Sequence, residues 1–155
     1  MAVESYFKSD AEVEELVRGF ESCELEPEKF SHSDHLAVVT SYLMKMSEHE
    51  AAERMRAGLY KFLDAHAVDR QKYHETITLF WVKLARKSLD RAGEGRALAD
   101  VVNEMIGIYG NSKRIFEYYS QELISSDEAR LGWVEPDLKP LDFVQAESSQ
   151  TSISS

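Results

Sequence analysis

The sequence predicts an all-α fold, a compact bundle of about six helices with an extended C-terminal strap. Three observations carry that prediction. Apolar residues recur at the i, i+3, i+4, i+7 spacing of a buried helical stripe in segment after segment. Start signals of the form Ser-x-x-Asp or Ser-x-x-Glu stand ahead of two of those stripes. Strand-type alternation never runs long enough to make a sheet, and no internal repeat is present.

The elements follow in order. Val13, Leu16, Val17 and Phe20 form the stripe of a first helix, with Asp10 as its expected cap and glutamates crowding its first turns. Pro27 interrupts, leaving Glu28, Lys29 and Phe30 as a short connector. Ser31 with Asp34 opens a second helix, whose stripe is Leu36, Val39, Leu43 and Met46 with Tyr42 beside it. Ser47 with Glu50 opens a third, facing inward through Ala51, Met55, Leu59 and Phe62. After the polar break Val68-Asp69-Arg70, a fourth helix turns Tyr73, Ile77, Phe80 and Leu84 inward, with Trp81 at the edge and Lys83, Arg86, Lys87 and Arg91 mostly opposite. Gly93 and Gly95 end it. Leu98, Val101, Val102, Met105, Ile106 and Tyr109 make a fifth helix stopped by Gly110, and Ile115, Phe116, Tyr119 and Leu123 mark a sixth.

Beyond Gly132 the two prolines of residues 133–141 exclude a continuous helix. Trp133, Leu138, Leu141 and Phe143 are apolar enough to dock this strap on the bundle. Residues 145–155 are polar and serine-rich, and are expected to be a disordered tail. The organisation read from this is one helical domain over 1–144 and a tail over 145–155.

With 155 residues and one cysteine, Cys23, the chain can bury an adequate core without a disulfide or a structural metal. Its formal net charge of -10 disfavours nucleic acid, whose phosphates attract basic surfaces. No apolar run approaches the roughly 18 residues of a membrane helix. The first twenty residues have neither the positive n-region nor the apolar core of a signal peptide. The expectation is a cytoplasmic protein that binds neither nucleic acid nor membrane.

One place concentrates chemistry-bearing residues. His32 and His35 lie three apart at the start of the second helix, and His74 and Glu75 stand where the fourth begins. Glu24, ahead of the connector, is within reach of the same region. Histidines at i, i+3 can present two nitrogens to one ion, and a third histidine from another helix completes a divalent metal site. On this reading His32, His35 and His74 are metal ligands, Glu75 is a further ligand or the general base, and Glu24 is a more distant catalytic candidate. Histidines in a first helical turn are held neutral by the dipole, and free backbone N–H groups there suit a small polar or anionic ligand. The strap, with Asp137 or Lys139 at its rim, is placed to close over such a site. A second reading stands beside the first: the histidines are hydrogen-bonded caps and core-edge residues. The protein is then a non-catalytic interaction module, with a homodimer through an apolar helix face as the form to test.

The segments FSHSDHL (30–36), KYHETITLFW (72–81) and WVEPDLKPL (133–141) resemble a family of small helical bacterial proteins of uncharacterised activity. The resemblance covers most of the chain up to the serine-rich tail. It implies a shared fold and carries no activity, so function rests on the residues themselves.

Overall fold

Each long helix of the computed structural model, which describes residues 6–92 and 95–141, begins where a side chain takes up a free backbone N–H. α1 (Asp10–Glu21) is capped by Ser9, whose hydroxyl accepts the Glu12 N–H at 3.3 Å. Asp10 is therefore not the cap expected for this helix. Its carboxylate instead accepts the Ala99 N–H at 2.8 Å, in the first turn of α5 (Leu98–Tyr109), where Ala97 has no side chain able to do so. α2 (His32–Leu43) and α3 (Glu48–Ala65) carry the two capping boxes read from the sequence, Ser31 with Asp34 and Ser47 with Glu50. α4 (Glu75–Ala92) starts at a histidine, described with the site below.

α2 is the axis of the fold. It packs against α1, α3, α4 and α5, and every residue from Leu36 to Leu43 is buried. The expected stripe was thus too narrow, because Ala37, Val38, Thr40 and Ser41 are covered as well. Around this helix, Phe20, Phe30, Val38, Tyr42, Met55, Phe62 and Val82 form the largest apolar cluster. A second cluster joins Leu36, Phe80 and Trp81 to Ile115, Tyr118, Tyr119 and Leu141. Gly110 does end α5, although at φ -68 rather than in the left-handed region. The reason for glycine is space, since a Cβ there would lie 2.5 Å from the Ile106 carbonyl oxygen.

The sixth helix is not continuous. Residues Ser112–Glu117 form a 3-10 turn, followed by the short helices α6 (Gln121–Ile124) and α7 (Asp127–Leu131). Ser120 and Ser126 explain the breaks, for their hydroxyls accept the Leu123 and Ala129 N–H groups, each at 3.1 Å, and start new helices. The strap then runs back over α4 and the 3-10 turn. Thr76 donates its hydroxyl to the Gly132 carbonyl at 2.7 Å and accepts the Val134 N–H at 3.2 Å. Tyr119 donates to the Val134 carbonyl at 2.7 Å, and the Leu138 N–H to the Tyr118 carbonyl at 2.9 Å. Leu141 is buried and Trp133 half-buried, but Leu138 remains 56% exposed, against expectation. Gly93, Phe143 and the tail 145–155 lie outside the described residues. Among the described residues there is no strand, and no helix is long and apolar enough to cross a membrane.

Candidate functional site

The helix starts of α2 and α4 meet, as the sequence reading required, and a cavity of about 540 Å3 opens between them. His32, His35 and His74 all line it. Most of its wall is apolar, made by Phe30, Leu36, Val39, Met55, Phe62, Ile77, Trp81, Ile115 and Phe116 with others of the same kind. The described residues of the strap, 133–141, contribute nothing to the lining. Asp137 accepts instead from the Ser120 N–H and hydroxyl at 2.8 and 2.7 Å, and Lys139 lies over the Tyr118 ring, so neither stands at the rim.

His35 is stacked on Phe30, with ring centroids 4.1 Å apart. Its Nδ1 lies 2.7 Å from the Ser31 carbonyl oxygen, one turn back along the chain. His32 meets Trp81 edge-on at 4.4 Å, and its Nε2 lies 3.2 Å from the Tyr109 carbonyl oxygen at the end of α5. A carbonyl can only accept, so these two nitrogens carry the protons. In the neutral rings the other nitrogens, His35 Nε2 and His32 Nδ1, are bare lone pairs, and neither has a partner among the described residues. Burial keeps the rings neutral. It lowers the pKa of His32 despite the Tyr109 contact, and that of His35 despite the Ser31 contact and Asp34, with His32 adding to the effect.

His74 is differently placed. Its Nδ1 accepts the Ile77 N–H at 3.1 Å, so the imidazole caps α4. Its Nε2 donates to the Ile124 carbonyl at 2.7 Å, tying α4 to α6. Both nitrogens are occupied, and no lone pair is left for an ion. Among the described residues no three His, Cys, Asp or Glu side chains form a group that could hold a metal. Of the expected ligands His32, His35 and His74, all three line the cavity, and His74 has both nitrogens engaged by the backbone.

Glu75 also has another employment. Arg56 of α3 grips it with Nε at 3.0 Å from Oε1 and with Nη2 on Oε2, and the Tyr73 hydroxyl donates to Oε1. Burial opposes its charge, but the Arg56 and Tyr73 bonds together outweigh burial and hold the carboxyl below its ordinary range. A carboxylate so held is a poor general base, and it does not line the cavity. Burial, reinforced by Glu75, pushes the Tyr73 hydroxyl upward, so it remains a donor. Glu24 is exposed and away from the lining.

Sequence reasoning missed Lys72 and Ser112, which complete the polar part of the wall. Nothing in their local spacing marks them, since Ser112 reaches the site through the packing of the 3-10 turn. No family model, no curated protein and no solved structure matches this chain. The class that fold and site define is an all-α bundle with an apolar, histidine-lined cavity at two helix starts.

Proposed function

We propose that the cavity binds a small, largely apolar molecule that offers a hydrogen-bond donor, such as a hydroxyl, to the lone pair of His35 or of His32. The observation that carries this reading is the fixed protonation of the two rings: each commits one nitrogen to a backbone carbonyl and keeps a lone pair at the other. Acceptors placed in an apolar cavity discriminate strongly, because a ligand without a donor leaves them unpaired. The size of the cavity, about 540 Å3, falls in the range of small-molecule sites. The segments 30–36 and 72–81 supply all three histidines and Lys72. A metal-dependent enzyme has less support, since His74 and Glu75 are both engaged.

Equilibrium dialysis with naphthalene and 2-naphthol tests the reading. Saturable binding of both is expected, with 2-naphthol roughly five-fold tighter, the equivalent of one net hydrogen bond of about 1 kcal/mol. His35→Phe keeps a ring on Phe30 but no lone pair, and with His32→Phe it should abolish the preference. No saturable binding of either compound, or a preference that survives in the double variant, would falsify the assignment.

A further inference from the structure

The charges around the cavity point to the other end of its ligand. The chain has 28 acidic residues and a net charge of -10, yet among the described residues no Asp or Glu lines the cavity. Among the described residues only two of the lining are exposed, Lys72 and Ser112, and these therefore mark the mouth. Among the described residues Lys72 is also the only lining side chain with a full charge when the histidines are neutral.

Two arginines on the Lys72 side of the cavity are engaged by carboxylates. Arg70 is held by Asp64 at 2.8 Å and lies over the Tyr60 ring, and Arg56 is held by Glu75. Lys72 closes the 3-10 turn Arg70–Lys72, and among the described residues its ammonium has no ion-pair partner. The Ser112 hydroxyl likewise has none. An ammonium and a hydroxyl at the mouth of an apolar cavity suit a single negative charge held at the water boundary.

We propose, building on the binding reading above, that the ligand is an apolar hydroxy acid: its hydroxyl lies inward and donates to one of the two imidazole lone pairs, at His35 or His32, and its carboxylate lies outward at Lys72 and Ser112. The orientation follows from donor and acceptor chemistry. A carboxylate facing a neutral imidazole lone pair sets acceptor against acceptor, so the inner place favours the hydroxyl. One ammonium matches a monoanion better than a phosphate ester, which carries close to two charges at neutral pH. The protein's overall negative field repels anions, so any gain from a carboxylate must arise locally.

The test extends the dialysis series to 2-naphthoate and 6-hydroxy-2-naphthoate, with Lys72→Gln and Lys72→Arg beside the unaltered chain. Lys72 is exposed and without an ion-pair partner, so both variants should melt as the parent does. The carboxylate should tighten binding of the hydroxylated ring roughly five-fold, as for one charge-assisted contact at a wet boundary. The gain should vanish in Lys72→Gln, persist in Lys72→Arg, and shrink in 1 M sodium chloride. A carboxylate that adds nothing, or a gain that survives Lys72→Gln, overturns the hydroxy-acid assignment. The preference for 2-naphthol over naphthalene then still decides the inner site on its own. Conversely, a carboxylate gain without a hydroxyl preference overturns the inward orientation, and with it the histidine reading.

Discussion

At the residue scale, the two cavity histidines make the protein sensitive to mild acid. Their folded pKa values lie below the ordinary 6.5, for burial disfavours the imidazolium. The unfolded chain therefore binds more protons as the pH falls through about 6.5, and stability must drop there. The contribution is fully present above the unfolded pKa and is lost as the pH falls toward the lowered folded values. The groups facing His35 are the Ser31 carbonyl and Asp34, which favour its charge, and His32, which opposes it. Thermal melts from pH 7.5 to 5.0 should show a falling midpoint, with a shallower fall in His35→Phe. Equal slopes would show that His35 is not held neutral. What the sequence disclosed at this scale was local. The caps at Ser31 and Ser47 were legible because donor and acceptor lie three residues apart. The meeting of the histidines was legible because each opens a helix. Their partners were not, since Tyr109 lies 77 residues from His32 and Ile124 lies 50 from His74. Glu75 read as a base for the same reason: Arg56, which neutralises it, stands on another helix.

At the scale of elements, periodicity located five long helices and failed where a stripe was not the rule. α2 is enclosed on every side, and its run LAVVTSYL signals this by having no charged face, so selecting one stripe understated its burial. The sixth helix failed for a different reason, since a 3.6-residue period cannot show that Ser120 and Ser126 restart the chain. The strap was correctly read as docked at Trp133 and Leu141, although its route avoids the cavity. Its contribution is measurable. Thr76 and Tyr119 are fully buried, and the strap side of Gly132 supplies the partners of their hydroxyls. Ending the chain at Gly132 strands the Tyr119 hydroxyl and uncovers the cluster beneath Leu141. Against a chain ending at Leu141, the melting temperature should drop by about 5–10 °C, as for a loss of a few kcal/mol in a domain of this size. A difference within 1–2 °C, the shift of less than about 1 kcal/mol, would reduce the strap to a linker.

For the molecule as a whole, the cavity depends on how closely α1 and α3 approach. Phe20 of α1 reaches across to α3 at Gly58, where a Cβ would stand 2.8 Å from its ring. The same ring stacks on Phe30 at 5.1 Å and lies 5.8 Å from Phe62. Phe30 and Phe62 line the cavity, and Phe30 in turn carries His35 at 4.1 Å. A methyl group added at Gly58 must therefore push Phe20 toward the wall of the site. Two effects compete in Gly58→Ala. Alanine is favoured over glycine within a helix by about 1 kcal/mol, whereas overpacking a filled core costs about 1–3 kcal/mol. Phe20 is 0% exposed and enclosed by other rings, so it has little room to yield, and the packing cost should win. Urea denaturation should show Gly58→Ala less stable than the parent by up to about 2 kcal/mol, the difference of those two effects. Phe20→Leu alone should also destabilise, by opening space. Combined with Gly58→Ala it should cost less than the sum, because the smaller side chain admits the methyl group. The affinity for 2-naphthol should weaken in Gly58→Ala and recover in the double variant, as Phe30 returns to its place beneath His35. Strict additivity of the two substitutions would mean that the ring relaxes elsewhere and that the spacing of α1 and α3 is not transmitted to the cavity.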